Sequence, residues 1–315
     1  MASPRILVIK HGALGDIVQG LDAFAGLRAG HPHAHIALLT SSPFMGLARR
    51  MPWFDEVIED PRAPVVKLGQ AFRLREMFRN GWDMMIDLQC SRRTARYHRF
   101  LAPAGNRWFG TASGASDPYP DFTGVNNADR MKTAIAMAGG DAATVADLAW
   151  LADAAAVPAH CASATILVPG CSASKPQKRW PAQSFADIAR REMSAGRTVV
   201  ITGTAADREA ADIVTSLAPG CIDLVGRTDL PGLAALFAGA GAVIGNDTGP
   251  VFLAARSDVP TLMIMGNDTD PSMSAPVGAL AGWVRKTRVG DVSADEAATA
   301  LADLRAKART TIRAG

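Results

Sequence analysis

The sequence predicts an α/β protein made of two Rossmann-like domains, and three observations carry that prediction. Short aliphatic runs recur along the chain, each followed by a loop rich in glycine, serine or threonine and then by residues of helical spacing. That alternation builds parallel sheets. The pattern opens at Arg5 and opens afresh at Thr165. Finally, 315 residues with 48% hydrophobic content suffice for two cores of roughly 150 residues each. The alanine-rich stretch from Leu151 to Ala164, containing Val157-Pro158, is the linker candidate, which gives expected domains of residues 1–157 and 158–315.

In the first half, Arg5 to Lys10 (RILVIK) reads as a strand, His11-Gly12-Ala13-Leu14-Gly15-Asp16 as its loop, and Ile17 to Leu27 as a helix. The glycine spacing is GxxG, so the dinucleotide fingerprint GxGxxG is absent. On local chemistry alone, Asp16 suits a helix cap. His31, His33 and His35 alternate just before the strand Ile36 to Thr40; with no carboxylate or cysteine close by in sequence, they read as surface residues rather than metal ligands. Asp83 to Leu88 (DMMIDL) is a further strand. Gly110 to Asn127 reads as a loop, and Arg130 to Gly139 as a helix ending at Gly-Gly.

Charge is uneven. The whole chain carries only +3, which gives no argument for nucleic acid as a partner. Between Arg62 and Arg99, however, nine basic residues (Arg62, Lys67, Arg73, Arg75, Arg79, Arg92, Arg93, Arg96 and Arg99) face three acidic ones, an excess of six. Arginine forks match carboxylates and phosphates, so an anionic ligand is one reading, with Arg62, Lys67, Arg73, Arg92, Arg93 and Arg96 as its candidate contacts. A solvated helix face is the plain alternative. Such a face also attracts anionic lipid headgroups. The four cysteines form no CxxC pair and fit a reducing compartment. The first residues hold too short an apolar run for a signal peptide, and no run approaches the roughly 20 residues of a membrane span. The expected location is cytoplasmic, with peripheral attachment to the inner membrane surface left open.

In the second half, Thr165 to Val168 is a strand, followed by the small-residue loop Pro169-Gly170-Cys171-Ser172-Ala173-Ser174 and then Lys175-Pro176-Gln177-Lys178-Arg179-Trp180-Pro181. Ser184 to Ala195 reads as a helix. Arg197 to Thr202 is the next strand, and Gly203 to Glu209 opens a helix in which Asp207 is a candidate for a ribose hydroxyl or, more simply, a first-turn acid. Val225 to Leu230 precedes a helix over Leu233 to Gly239. Ala242 to Gly266 (AVIGNDTGPVFLAARSDVPTLMIMG) then reads as strand, polar loop, short helix and buried strand. Pro250 suits a first helical position. The loop Asp247-Thr248-Gly249 can hold a phosphate on backbone N–H groups, or it is an ordinary strand-to-helix connection. Ala294 to Ile312 is the final helix.

Several of these stretches together resemble glycosyltransferase family 9, the heptosyltransferase-like enzymes. They are KHGALGDIV, WDMMIDLQ with SRRTARYHRF, PGxSxxxxxKRWP, GNDTGPxxLAA with VPTxxxxG, and GNDTDP, in that order across both halves. The resemblance implies the GT-B architecture, two Rossmann-like domains facing across a cleft, with an acceptor-binding first domain and a nucleotide-sugar-binding second domain whose last helix, 294–312, can cross back to pack on the first. It implies inverting, metal-independent sugar transfer from a nucleoside diphosphate sugar, ADP-heptose above all, to an anionic acceptor of the lipopolysaccharide-core type. By this resemblance Asp16 is the general base, and Lys178, with Ser172 and Ser174, meets the diphosphate. Asp247, Thr248 and Gly249 complete the donor site, and Thr228 and Leu230 lie near the base. A sugar-nucleotide epimerase of the same architecture and a non-catalytic sugar-nucleotide-binding protein are the alternatives. Phe252 motivates the latter, because it stands where the family commonly has histidine.

Overall fold

The computed structural model describes residues 3–62, 68–152, 158–172 and 174–314. Lys67 and the centre of the linker candidate, residues 153–157, lie outside them. The chain divides into two compact units, Met1–Trp150 and Leu151–Gly315.

The first unit contains strands β1 (Arg5–Ile9), β2 (His35–Ser41), β3 (Glu56–Asp60), β4 (Met84–Asp87), β5 (Arg107–Gly110) and β6 (Asp117–Pro118). Its helices are α1 (Leu14–Gln19), α2 (Leu21–Gly30), α3 (Met45–Ala48), α4 (Leu68–Phe78), α5 (Arg92–Phe100) and α6 (Asn127–Met137). All strands are parallel, in the order β3-β2-β1-β4-β5-β6. The central strand β1 is aliphatic because helices cover both of its faces: Ile6, Leu7, Val8 and Ile9 are fully buried. Leu7 and Ile9 share a core with Phe78 of α4 and Tyr97 of α5.

Two expectations are corrected here. The helix predicted from Ile17 begins at Leu14, which puts Asp16 inside its first turn, and it breaks at Gly20 into α1 and α2. A side chain at Gly20 would press on Phe24 and on Met131 of α6, at 3.0 and 3.3 Å. The stretch Gly110 to Asn127 is not wholly loop, since Asp117–Pro118 adds a short edge strand where proline is tolerated.

The second unit contains β7 (Thr165–Val168), β8 (Val199–Ile201), β9 (Ile222–Asp223), β10 (Ala242–Asn246), β11 (Thr261–Met265) and β12 (Ala281–Arg285). Its helices are α7 (Ala182–Ser194), α8 (Arg208–Leu217), α9 (Leu230–Ala238), α10 (Gly249–Ala255) and α11 (Ala294–Ala314). The parallel order β12-β11-β10-β7-β8-β9 is the same winding as in the first unit: the second and third strands run to one side of the opening strand, and the next three lie on its other side. The strand order therefore reverses between β1 and β4 in one unit and between β7 and β10 in the other, the two places where such sheets leave a crevice at their carboxyl ends.

The last helix, α11, packs along β11, β12 and α7 of its own unit. Arg305 ties it down by donating to both carboxylate oxygens of Glu192 (3.0 and 2.6 Å) and to the Thr165 hydroxyl (2.7 Å), while Arg197 holds the same carboxylate. Burial alone would raise the Glu192 pKa, but these arginines and Thr165 hold it at about 2. Among the described residues, no helix is long and apolar enough to cross a membrane.

Candidate active site

At the β1/β4 crossing, the His11 N–H donates to Gln89 Oε1 (2.9 Å), joining the loops that follow the two strands. The β1 loop then enters α1, which carries Asp16 in its first turn. Asp16 Oδ2 accepts from the Ala13 N–H and Oδ1 from Asn127 Nδ2, both at 3.2 Å. The capping reading of Asp16 thus accounts for one oxygen only. The half-buried carboxylate lines a pocket of about 570 Å³ with Ser41, Ser42, Phe44, Arg62 and Gln89. Behind it, Lys10 is buried and donates to the Leu88 carbonyl (3.2 Å). Burial pushes its ammonium pKa down, and Asp16 is the largest influence opposing that shift.

A second polar group borders the same pocket. Asp60, fully buried at the end of β3, has Oδ2 2.9 Å from His11 Nε2, accepts from the Tyr97 hydroxyl on Oδ2, and takes the Arg62 N–H on Oδ1 (2.8 Å). Burial would raise its pKa, but these contacts outweigh burial and hold it at about 2. Arg62 itself adopts the left-handed region (φ 49°), fixed there by Asp60 at its N–H and by Arg93 at its carbonyl (2.9 Å).

The basic residues therefore separate. Arg62 lines the Asp16 pocket, and Arg93 is occupied by Tyr97 (3.0 Å) and the Arg62 carbonyl. Arg73 borders a different groove, of about 420 Å³, with Ile58, Pro61, Leu74 and Met77. Arg92 and Arg96 stand exposed on α5. The alternating histidines go separate ways: His31 bonds the Ala138 carbonyl (2.7 Å), His33 is exposed, and His35 contacts Glu56 (3.2 Å) and stacks on Trp82.

At the β7/β10 crossing, Asn246 does what Gln89 does in the first unit. Its Nδ2 donates to the Pro169 carbonyl (2.7 Å) and its Oδ1 accepts from the Trp180 N–H (2.9 Å), fastening the β7 loop and the Lys178 segment to the end of β10. Trp180 is buried and donates from Nε1 to the Val292 carbonyl (2.8 Å). Anchored between these points, the short turn Pro176–Lys178 aims the Lys178 ammonium at Asp247 Oδ2 (2.6 Å) and at Thr269 Oγ1 (2.7 Å), and the Thr269 hydroxyl in turn donates to Asp247. An ammonium has three N–H donors. Two are spent here, and tetrahedral geometry directs the third.

The remaining candidates fall around this centre. Ser172 and Ser174 are exposed with their hydroxyls 2.9 Å apart. Thr248 holds the extended position just before α10, whose first residue is Gly249, without a side-chain capping bond. Thr228 Oγ1 is 3.4 Å from Thr202 Oγ1, and Leu230 begins α9. Asp207 is buried, with Oδ2 taken by the N–H and hydroxyl of Thr204 (2.9 and 2.8 Å), so it closes its own turn. Phe252 is buried within α10. Sequence reasoning did not single out Gln89, Asn127, Asn246 or Thr269. Asn246 left one trace, a polar residue at the end of an apolar strand.

The fold is shared with solved structures. A glycosyl transferase family 9 protein from Veillonella parvula aligns with a TM-score of 0.82 at 20% identity, covering 96% of this chain and 97% of that one. An E. coli heptosyltransferase with ADP aligns with a TM-score of 0.81 at 18% identity, covering 95% and 99%. These alignments define a glycosyltransferase fold of the GT-B class. In sequence, the lipooligosaccharide heptosyltransferase 2 of Haemophilus influenzae is 25% identical over 91% of this chain and 92% of its own length. The profile of glycosyltransferase family 9 (heptosyltransferase) matches residues 130–297, just over half of the chain, and the protein belongs to that family.

Proposed function

We propose that the protein transfers a heptose, with inversion, from ADP-heptose to a hydroxyl of an anionic acceptor of the lipopolysaccharide-core type, and that it works in the cytoplasm. The observation that carries this reading is the Lys178 ammonium, held at the switch point of the second sheet with one donor direction unspent among the described residues. The name of the H. influenzae relative supports the sugar and acceptor class, and the ADP of the E. coli structure supports the nucleotide.

In this reading Asp16 takes the proton from the acceptor hydroxyl as its oxygen attacks the anomeric carbon, the role of a positioned base. The bond from that carbon to the diphosphate oxygen breaks, and negative charge grows on the departing diphosphate. Lys178 meets that charge, and the backbone around Thr248 and Gly249 supports it. Ser172, Ser174, Thr228 and Leu230 complete the donor contacts; Asp207 and Asp247 act as braces, Asp247 by holding Lys178. Arg62, which lines the Asp16 pocket, is the foremost acceptor contact. Phe252 cannot hydrogen-bond, which favours a binding protein without turnover as the second reading.

The test is isothermal calorimetry with ADP, UDP and GDP on the parent and on Lys178→Ala. Selective ADP binding, weakened at least tenfold by the substitution, is the expected result. Selective UDP or GDP binding overturns the donor, and no binding to any of the three removes the support for a phosphate site. Sugar transfer that Asp16→Asn abolishes excludes the binding-protein reading, and isomerisation of the donor without acceptor identifies an epimerase.

A further inference from the structure

Of the eight described basic residues between Arg62 and Arg99, only Arg62 lines the Asp16 pocket, and the seven along α4 and α5 are arranged in order. Helices α4 and α5 cover the same face of the first sheet: Phe78 and Tyr97 share one core, with their rings 5.4 Å apart. Both helices have a clear inside. On α4 it is Leu74, Met77 and Phe78, and on α5 it is Thr94 and Tyr97. Helical spacing then puts Phe72, Arg75 and Arg79 on the outer side of α4, with Glu76 among them, and sets Arg92, Arg96 and Arg99 in one row along the outside of α5.

This layer combines two features that are unfavourable in water. Arg92, Arg96 and Arg99 follow one another at i, i+4 and i+7, a like-charge row, and among the described residues none of them has an ion-pair partner. Phe72 and Phe100, 67% and 63% exposed, are the two most exposed aromatic side chains among the described residues, and the Arg99 guanidinium lies 5.1 Å from the Phe100 ring centre. A negatively charged plane with an apolar interior relieves both costs. Arginines at its level meet phosphates, and the rings between them leave water.

We propose that the outer face of α4 and α5 docks on an anionic lipid bilayer, with Phe72 and Phe100 entering the headgroup layer and the arginine row lying against lipid phosphates. This surface is distinct from the Asp16 pocket and independent of which sugar is transferred.

The experiment is flotation of the full-length protein with phosphatidylcholine vesicles and with vesicles containing about 40% phosphatidylglycerol, at low and high salt. These lipids carry no saccharide, so acceptor recognition plays no part. The parent is expected to float with the anionic vesicles only and to be released by salt. An arginine near such a surface contributes about a fivefold effect, so Arg92→Glu, Arg96→Glu and Arg99→Glu together lower partitioning by at least about 100-fold. Phe72→Ser with Phe100→Ser lowers it by roughly tenfold at unchanged charge. All these side chains are exposed, and an unchanged melting temperature checks that each variant folds. Failure of the parent to bind anionic vesicles overturns the proposal, as does equal binding to neutral vesicles or binding that the triple substitution leaves intact. Self-association without vesicles that the phenylalanine substitutions abolish assigns the face to a second copy instead and also overturns it.

Discussion

Lys178→Met is the most informative single change in the second unit, because it separates the charge of the ammonium from the bulk of the side chain. Lys178 and Asp247 are 2.6 Å apart with only 17% and 7% of their side chains exposed, so the substitution leaves a carboxylate largely out of water without its counter-ion. Breaking a buried pair from one side costs about 3–5 kcal/mol. Thr269 still donates to Asp247, and the lysine keeps some solvent contact, so about 2 kcal/mol is expected here. At roughly 2–4 °C per kcal/mol for a unit of this size, the second unit should melt about 4–8 °C lower. Adding Asp247→Asn removes the stranded charge and should restore about half of the loss, although Asp247→Asn alone is itself destabilising. The assay is a four-corner cycle of calorimetric or urea unfolding, repeated for ADP affinity. A coupling below about 0.5 kcal/mol, meaning that the two substitutions simply add, would refute the claim that Asp247 serves Lys178.

Asp16→Asn should lower the rate of sugar transfer by about 10²–10⁴-fold while leaving nucleotide affinity unchanged, read by steady-state kinetics beside calorimetry. Arg305→Ala removes one of the two guanidiniums on Glu192 and the bond to Thr165; a loss of about 2–3 kcal/mol and early proteolytic release of α11 are expected, by denaturant unfolding and limited proteolysis. Asp60 and Glu192 are both held at about 2 in the folded protein. A depressed carboxyl stabilises above its unfolded pKa and loses that contribution as pH falls through the folded value, so stability should be level above about pH 5 and decline between roughly pH 4 and 2. Asp60→Asn and Glu192→Gln should each flatten part of that decline in melting scans against pH.

The repeating strand, loop and helix pattern was legible because parallel strands buried on both faces are written as aliphatic runs, as in RILVIK and TILV. The strands the sequence reading passed over are those without that signature. Glu56–Asp60 and Ala281–Arg285 lie at sheet edges and carry charge or exposed positions, Arg107–Gly110 (RWFG) is short and aromatic rather than aliphatic, and Ile222–Asp223 and Asp117–Pro118 are two residues long. Lys178 and Asp247 were visible as motif residues, but their direct contact was not, because 69 positions separate them. Asn127 meets Asp16 across 111 positions and was equally invisible. The run of basic residues was legible as charge alone. Only the helices sort it into Arg62 in a pocket, Arg93 in an internal network and an outward row on α5.

The repeated winding has a consequence for how such a chain changes over time. Each sheet closes its own strand crossing with a side-chain amide from its own half, Gln89 in one and Asn246 in the other. In the proposed reaction, substitutions after β7, β10 and β11 would retune the leaving group while the loops after β1 and β4 would keep the apparatus of attack. Exchange of residues 151–315 between relatives should then carry donor preference with it and leave acceptor preference behind, so that new sugar linkages arise by recombining halves rather than by rebuilding a site.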